Sequence, residues 1–96
     1  MVGGWVYIMT NRPFGTLYIG VTNDIARRAW EHRQSTGSVF TARHQLTRLV
    51  FMERHEDIEI AIQREKSLKR WPRPWKLDLI EVLNPGWEDL YDRLNM

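Results

Sequence analysis

The chain has 96 residues, 43% hydrophobic and 27% charged, which is enough for one small domain with a modest core. It contains no cysteine, so disulfides, thiolate zinc sites and a cysteine nucleophile are excluded. The formal net charge is only +2, and no apolar run approaches the length of a membrane span.

The chain opens Met1-Val2-Gly3-Gly4, with neither a basic leader nor a long apolar stretch, as expected of a cytoplasmic protein. Trp5 to Thr10 (WVYIMT) is rich in β-forming residues, and Thr16 to Thr22 (TLYIGVT) reads as a second strand. Between them Pro13 fixes φ and Gly15 can accept a positive φ, so Asn11–Gly15 is a turn and the strands make a hairpin. Asn23 or Asp24 caps a helix from Ile25 to about Gln34, which stops at Ser35-Thr36-Gly37-Ser38. Val39 to His44 is read as a short helical turn and Leu46 to Glu53 as a third strand. Asp57 caps a second long helix from Ile58 to about Arg70, ended by Pro72 and Pro74. A shorter helix, Trp75 to Val82, the turn Asn84-Pro85-Gly86 and a last helix from Trp87 to Leu94 complete the chain. The order ββαβαα predicts an α+β fold in one domain over 1–96: a three-stranded, mainly antiparallel sheet flanked by helices.

Charge is unevenly spread. Residues 64–76 carry Arg64, Lys66, Lys69, Arg70, Arg73 and Lys76 against Glu65 alone. Such a stripe is either one anion-binding face or a solvated helix face. Of the five tryptophans some must pack, and Trp75 is expected to pin the penultimate helix to the sheet, while Trp71 could stack on a base.

Three segments look chemical. Strand alternation puts Tyr7 on one face with Trp5 and Met9, and Tyr18 on one face with Gly20 and Thr22. If Tyr7 lies opposite Tyr18, both phenols leave the same side, and Gly20 marks close approach of a ligand or another backbone; two packed tyrosines and a bulge glycine are the alternative. In the first helix Ile25, Arg28, Ala29 and His32 share a face, so an arginine and a histidine point inward, while Arg27, Glu31 and Gln34 face solvent. An inward arginine needs an anion or a cleft edge. In the second long helix Glu65 interrupts the apolar stripe of Ile58, Ala61, Ile62 and Leu68. Its carboxylate needs a cation, either a metal or Lys69 one turn on.

Trp5-Val6-Tyr7 and Tyr18-Ile19-Gly20, ten residues between them, resemble the two signature triplets of the GIY-YIG nucleases. The second triplet matches throughout, and the first keeps its tyrosine. In this resemblance the family's arginine falls on Arg28, its histidine on His32, its metal-binding glutamate on Glu65 and a late asparagine on Asn84. The likeness covers nearly the whole chain and is closest to small standalone bacterial members, similar to the N-terminal nuclease domain of UvrC. It implies hydrolysis of a phosphodiester, with DNA favoured over RNA, in structure-selective cleavage of the kind used in repair or recombination, by one Mg²⁺ or Mn²⁺ held on Glu65. Arg28 would oppose phosphate charge, Tyr7 or Tyr18 would orient or deprotonate water, His32 would position a tyrosine or the water, and Asn84 would steady the substrate or Glu65. Lys66, Lys69, Arg70, Arg73 and Lys76 would line the path of the strand. A nucleic-acid-binding module of the same fold without turnover is the alternative, and a protein-interaction domain with exposed Trp a remoter one.

Overall fold

In the computed structural model, which describes residues 3–94, β1 (Gly4–Thr10) is the central strand of an antiparallel sheet of order β2-β1-β3. Its neighbours are β2 (Leu17–Thr22) and β3 (Arg48–His55). The central strand is apolar on both faces. Val6 and Ile8 on one, Tyr7 and Met9 on the other, are all essentially inaccessible to solvent.

Helices α3 (Ile58–Arg70) and α4 (Arg73–Leu83) cover the Val6–Ile8 face and bury Ala61, Leu68 and Ile80 there. Helix α1 (Ile25–Arg33) covers the Tyr7–Met9 face with Ile25 and Ala29, joined by Leu46, Leu49 and Leu90. A six-residue helix, α2 (Val39–His44), stands beside α1 in the chain, and a single 3₁₀ turn spans Leu90–Arg93. Side chains satisfy the free amides at the helix starts: Asp24 accepts from Arg27 N, Ser38 from Thr41 N and Asp57 from Glu59 N. Among the described residues no helix is long and apolar enough to cross a membrane.

Four local expectations are corrected. The left-handed residue of the hairpin loop is Phe14, with φ 59°, and Gly15 serves instead to avoid a collision between a Cβ and the Asn11 side chain. Helix α4 starts at Arg73 because Pro72 occupies the capping position and Pro74 lies in the first turn, where a missing N–H is no loss. The last helix shrinks to one 3₁₀ turn, since Trp87 has φ 52° and breaks helical continuity. Trp87 is the fully buried indole, whereas Trp75 is 57% exposed and stands edge-on to Trp71.

A bulge shapes β3. Ile8 pairs with Phe51 but Met9 with Leu49, leaving Val50 as the extra residue. Its carbonyl is met by Asn84 Nδ2 at 3.1 Å, and Asp89 Oδ1 accepts from Leu49 N at 3.2 Å. Arg48 donates to the Trp87 carbonyl at 2.8 Å. The segment after α4 therefore seals β3, while β2 remains an edge strand next to the groups described below.

Candidate active site

The hairpin register sets the geometry. Tyr7 faces Gly20, and Tyr18 faces Met9. The two tyrosines are thus diagonal rather than opposite, on one face, with ring centroids 6.3 Å apart. Gly20 admits the Tyr7 side chain, since a Cβ there would collide with the phenol ring and hydroxyl. The close approach expected at this glycine is thus made by a side chain.

Helix α1 brings two groups to the Tyr7 hydroxyl. His32 is buried as its helical position requires, and its Nε2 lies 2.9 Å from Tyr7 Oη. Arg28 Nε donates to the same oxygen at 3.4 Å. The Tyr18 ring centroid also lies 5.5 Å from that of the imidazole. Burial pushes the Tyr7 phenol up to about 12, against the pull of the Arg28 hydrogen bond. Burial, with the Arg28 charge beside it, pushes His32 down to about 4, so the imidazole is neutral at pH 7. The bond to Tyr7 raises Arg28 further above its already high value. Glu31, expected in solvent, instead bonds Arg28 Nη1 at 3.1 Å and pairs with Arg27 at 3.5 Å.

Glu65 approaches from α3 on the other side of the sheet. Its side chain is 13% exposed, and its charge is the weakest of the influences that raise the Tyr7 phenol. Lys69 Nζ lies 3.4 Å from Glu65 Oε2, the one-turn pairing open to this sequence. Among the described residues no three His, Cys, Asp or Glu cluster as ligands. A cation that demands several protein ligands, as zinc does, does not fit. A Mg²⁺-like ion bound through one carboxylate, with water and substrate phosphate completing its shell, fits Glu65.

Two open grooves flank this group along β2. One, of about 380 Å³, runs past Val21, Thr22, Asp24, Arg27, Arg28 and Glu31. The other, of about 290 Å³, is lined by Leu17, Tyr18, Ile19, Phe40, Lys69 and Lys76. Gly20 lies between them in the strand. Tyr18 is half-buried on a groove wall, while Tyr7 is closed off beneath.

The basic stripe divides. Lys69 and Lys76 reach the groove, and Lys76 Nζ donates to the Lys69 carbonyl at 3.2 Å. Lys66 and Arg70 are exposed, turned roughly 100° or more round α3 from Glu65. Arg73 Nη2 is committed to the carbonyls of Phe14 and Gly15, both at 2.8 Å, and so ties α4 to the hairpin loop. Asn84 hydrogen-bonds to none of the clustered groups. Its Nδ2 serves the Val50 and Glu88 carbonyls and its Oδ1 accepts from Glu88 N, so the whole amide is engaged within the fold.

Sequence reasoning missed Gly37, Ser38 and Thr41. Thr41 is buried with Oγ1 3.0 Å from His32 Nδ1, Ser38 Oγ lies 2.8 Å from Thr41 Oγ1, and a Cβ on Gly37 would strike the imidazole. Ser38, a residue type favoured at helix N-caps, was the available signal for this segment.

A model of the GIY-YIG catalytic domain matches residues 3–78. The chain is 32% identical over 88 residues to the UPF0213 protein DP2720 of Desulfotalea psychrophila, covering 91% of this chain and 80% of that one. It is 33% identical over 67 residues to a UPF0213 protein of Staphylococcus aureus, covering 70% and 82%. The solution structure of the UPF0213 protein BH0048 from Bacillus halodurans superposes with a TM-score of 0.57 at 28% identity, over 91% of this chain and 92% of that one.

Proposed function

Because this chain belongs to the GIY-YIG catalytic-domain family, we propose that it is a divalent-metal-dependent endonuclease that hydrolyses phosphodiester bonds of nucleic acid, DNA in preference to RNA. The observation that carries the reading is the convergence of Arg28 and His32 on the buried Tyr7 hydroxyl, beside two grooves along one sheet edge.

Arg28 stands between that buried phenol and the open groove. Its Nε is fixed by Tyr7, so the outer face of the guanidinium is held ready for phosphate oxygens, which suit its planar donors. Tyr18, half-buried on the groove wall, is the phenol that can meet an attacking water. Tyr7 is too enclosed for that and acts by orienting Arg28. Glu65 would hold the cation, which when bound would polarise the phosphoryl oxygen and stabilise the leaving oxygen. Lys69, freed from Glu65, and Lys76 would follow the backbone of the bound strand. A structure preference is expected rather than sequence readout, since these contacts are made to the backbone.

The test is cleavage of end-labelled single-stranded, nicked and branched DNA with Mg²⁺ or Mn²⁺. Products should require the cation and fall at least about 100-fold in Arg28→Ala and Glu65→Ala. Cleavage unchanged in both variants would refute the assignment. Binding that is indifferent to metal, with no cleavage by the wild type, would favour a module without turnover.

A further inference from the structure

The proton positions around His32 follow from counting donors and acceptors. The Tyr7 hydroxyl is buried, and two side-chain atoms reach it: Arg28 Nε, which can only donate, and His32 Nε2. The phenol keeps its proton at neutral pH and must place it on an acceptor, since an unmet buried O–H is costly. Nε2 is that acceptor, so it carries no proton. The neutral ring then bears its hydrogen on Nδ1, which faces Thr41 Oγ1 at 3.0 Å.

Thr41 can receive it. Its own proton goes to the Ser38 carbonyl at 3.2 Å, leaving its oxygen to accept from Nδ1 and from Ser38 Oγ at 2.8 Å. Each donor in the chain then has an acceptor. The opposite tautomer would turn the Thr41 proton toward Nδ1, face two lone pairs at the Ser38 carbonyl and leave the Tyr7 proton without a partner. Gly37 closes the cradle, as its lack of a Cβ makes room for the ring.

We propose that Thr41, backed by Ser38, is a positioning residue that fixes His32 as the Nδ1–H tautomer and, through the Tyr7 hydroxyl, fixes the direction in which Arg28 is presented. The tautomer assignment is independent of the nuclease reading. Its consequence for cleavage rests on the nuclease reading.

Long-range proton–nitrogen correlation spectra of histidine-labelled protein at pH 7 test the first part. His32 should be protonated on Nδ1 in the wild type and in Thr41→Ser, and should lose that preference in Thr41→Val, which matches the shape but cannot accept. A wild-type His32 protonated on Nε2, or an unchanged tautomer in a folded Thr41→Val, would overturn the proposal. If the valine variant fails to fold, the spectra of the wild type and Thr41→Ser decide it. On a DNA substrate, kcat should drop about 10-fold in Thr41→Val and recover in Thr41→Ser. Equal kcat in all three, with the tautomer switched, would overturn the link to Arg28. Absence of cleavage by the wild type would remove the nuclease reading and leave the tautomer to be judged by the spectra.

Discussion

Tyr7 and Gly20 are cross-strand partners in which the side chain of one occupies the space that a Cβ of the other would fill. Gly20→Ala should therefore cost about 2 kcal/mol in urea unfolding, as overpacking in a core does. Paired with Tyr7→Ala, the glycine substitution should cost much less than alone, a coupling that a double-mutant cycle measures. Additive losses would mean that the phenol can move aside.

Glu31 neutralises part of the charge that Arg28 turns toward the groove. Glu31→Gln should tighten binding of a labelled single-stranded DNA about threefold at low salt, the scale of a half-exposed ion pair. Fluorescence anisotropy reads the change, and weaker binding would show that Glu31 holds Arg28 in its working orientation.

Lys69 and Lys76 share the groove, while Lys66, Arg70 and Arg73 are directed elsewhere. Lys69→Ala and Lys76→Ala should each lower the slope of log K against log salt by about 0.7–0.9 for DNA. Lys66→Ala and Arg70→Ala should change it less. Arg73→Ala should leave it unaltered and instead lower stability by about 1 kcal/mol through the hairpin loop.

His32 links stability to acid. Its folded value of about 4 lies below the ordinary 6.5, so the unfolded chain takes up the proton first. The contribution is complete above pH 6.5 and is lost as pH falls toward 4, by up to about 3 kcal/mol. Glu53 adds a loss at lower pH: although burial works against its charge, hydrogen bonds from Arg64 and His55 hold its carboxyl below the usual value. Thermal unfolding between pH 7 and 4 should show the decline, and His32→Gln should flatten it.

Asn84 is a separate case, because its amide serves the bulged strand and the turn after α4. Asn84→Ala should lose about 2–3 kcal/mol, the cost of stranding buried backbone groups. Below its melting point the variant should cleave DNA at the wild-type rate, and a selective loss of kcat would return the residue to the chemistry.

Much of this was legible where the pattern is local and repeated. Strand alternation separated Val6 and Ile8 from Tyr7 and Met9, Asp24 and Asp57 marked two helix starts, and helical spacing turned His32 inward. The hairpin register was not legible, because loop length alone does not say that Phe14 takes the left-handed place, and a two-residue shift of register moves Tyr18 from opposite Tyr7 to diagonal on the same face. Contacts between distant segments were also hidden. Nothing near Arg73 points to a carbonyl 59 residues away, and Thr41 sits in a helix too short to show periodicity. Trp87 rather than Trp75 is the buried indole, because burial of an indole is decided by what the chain packs over it.

The two rims of the sheet are treated differently: side chains after α4 close one, and the other borders the clustered groups. Self-association by strand addition is thereby channelled to β2, where Lys69 and Lys76 supply mutual repulsion. Any fibril seeded there would hide the candidate cleft, so discharging those lysines would cost solubility and, on the proposed reading, cleavage as well.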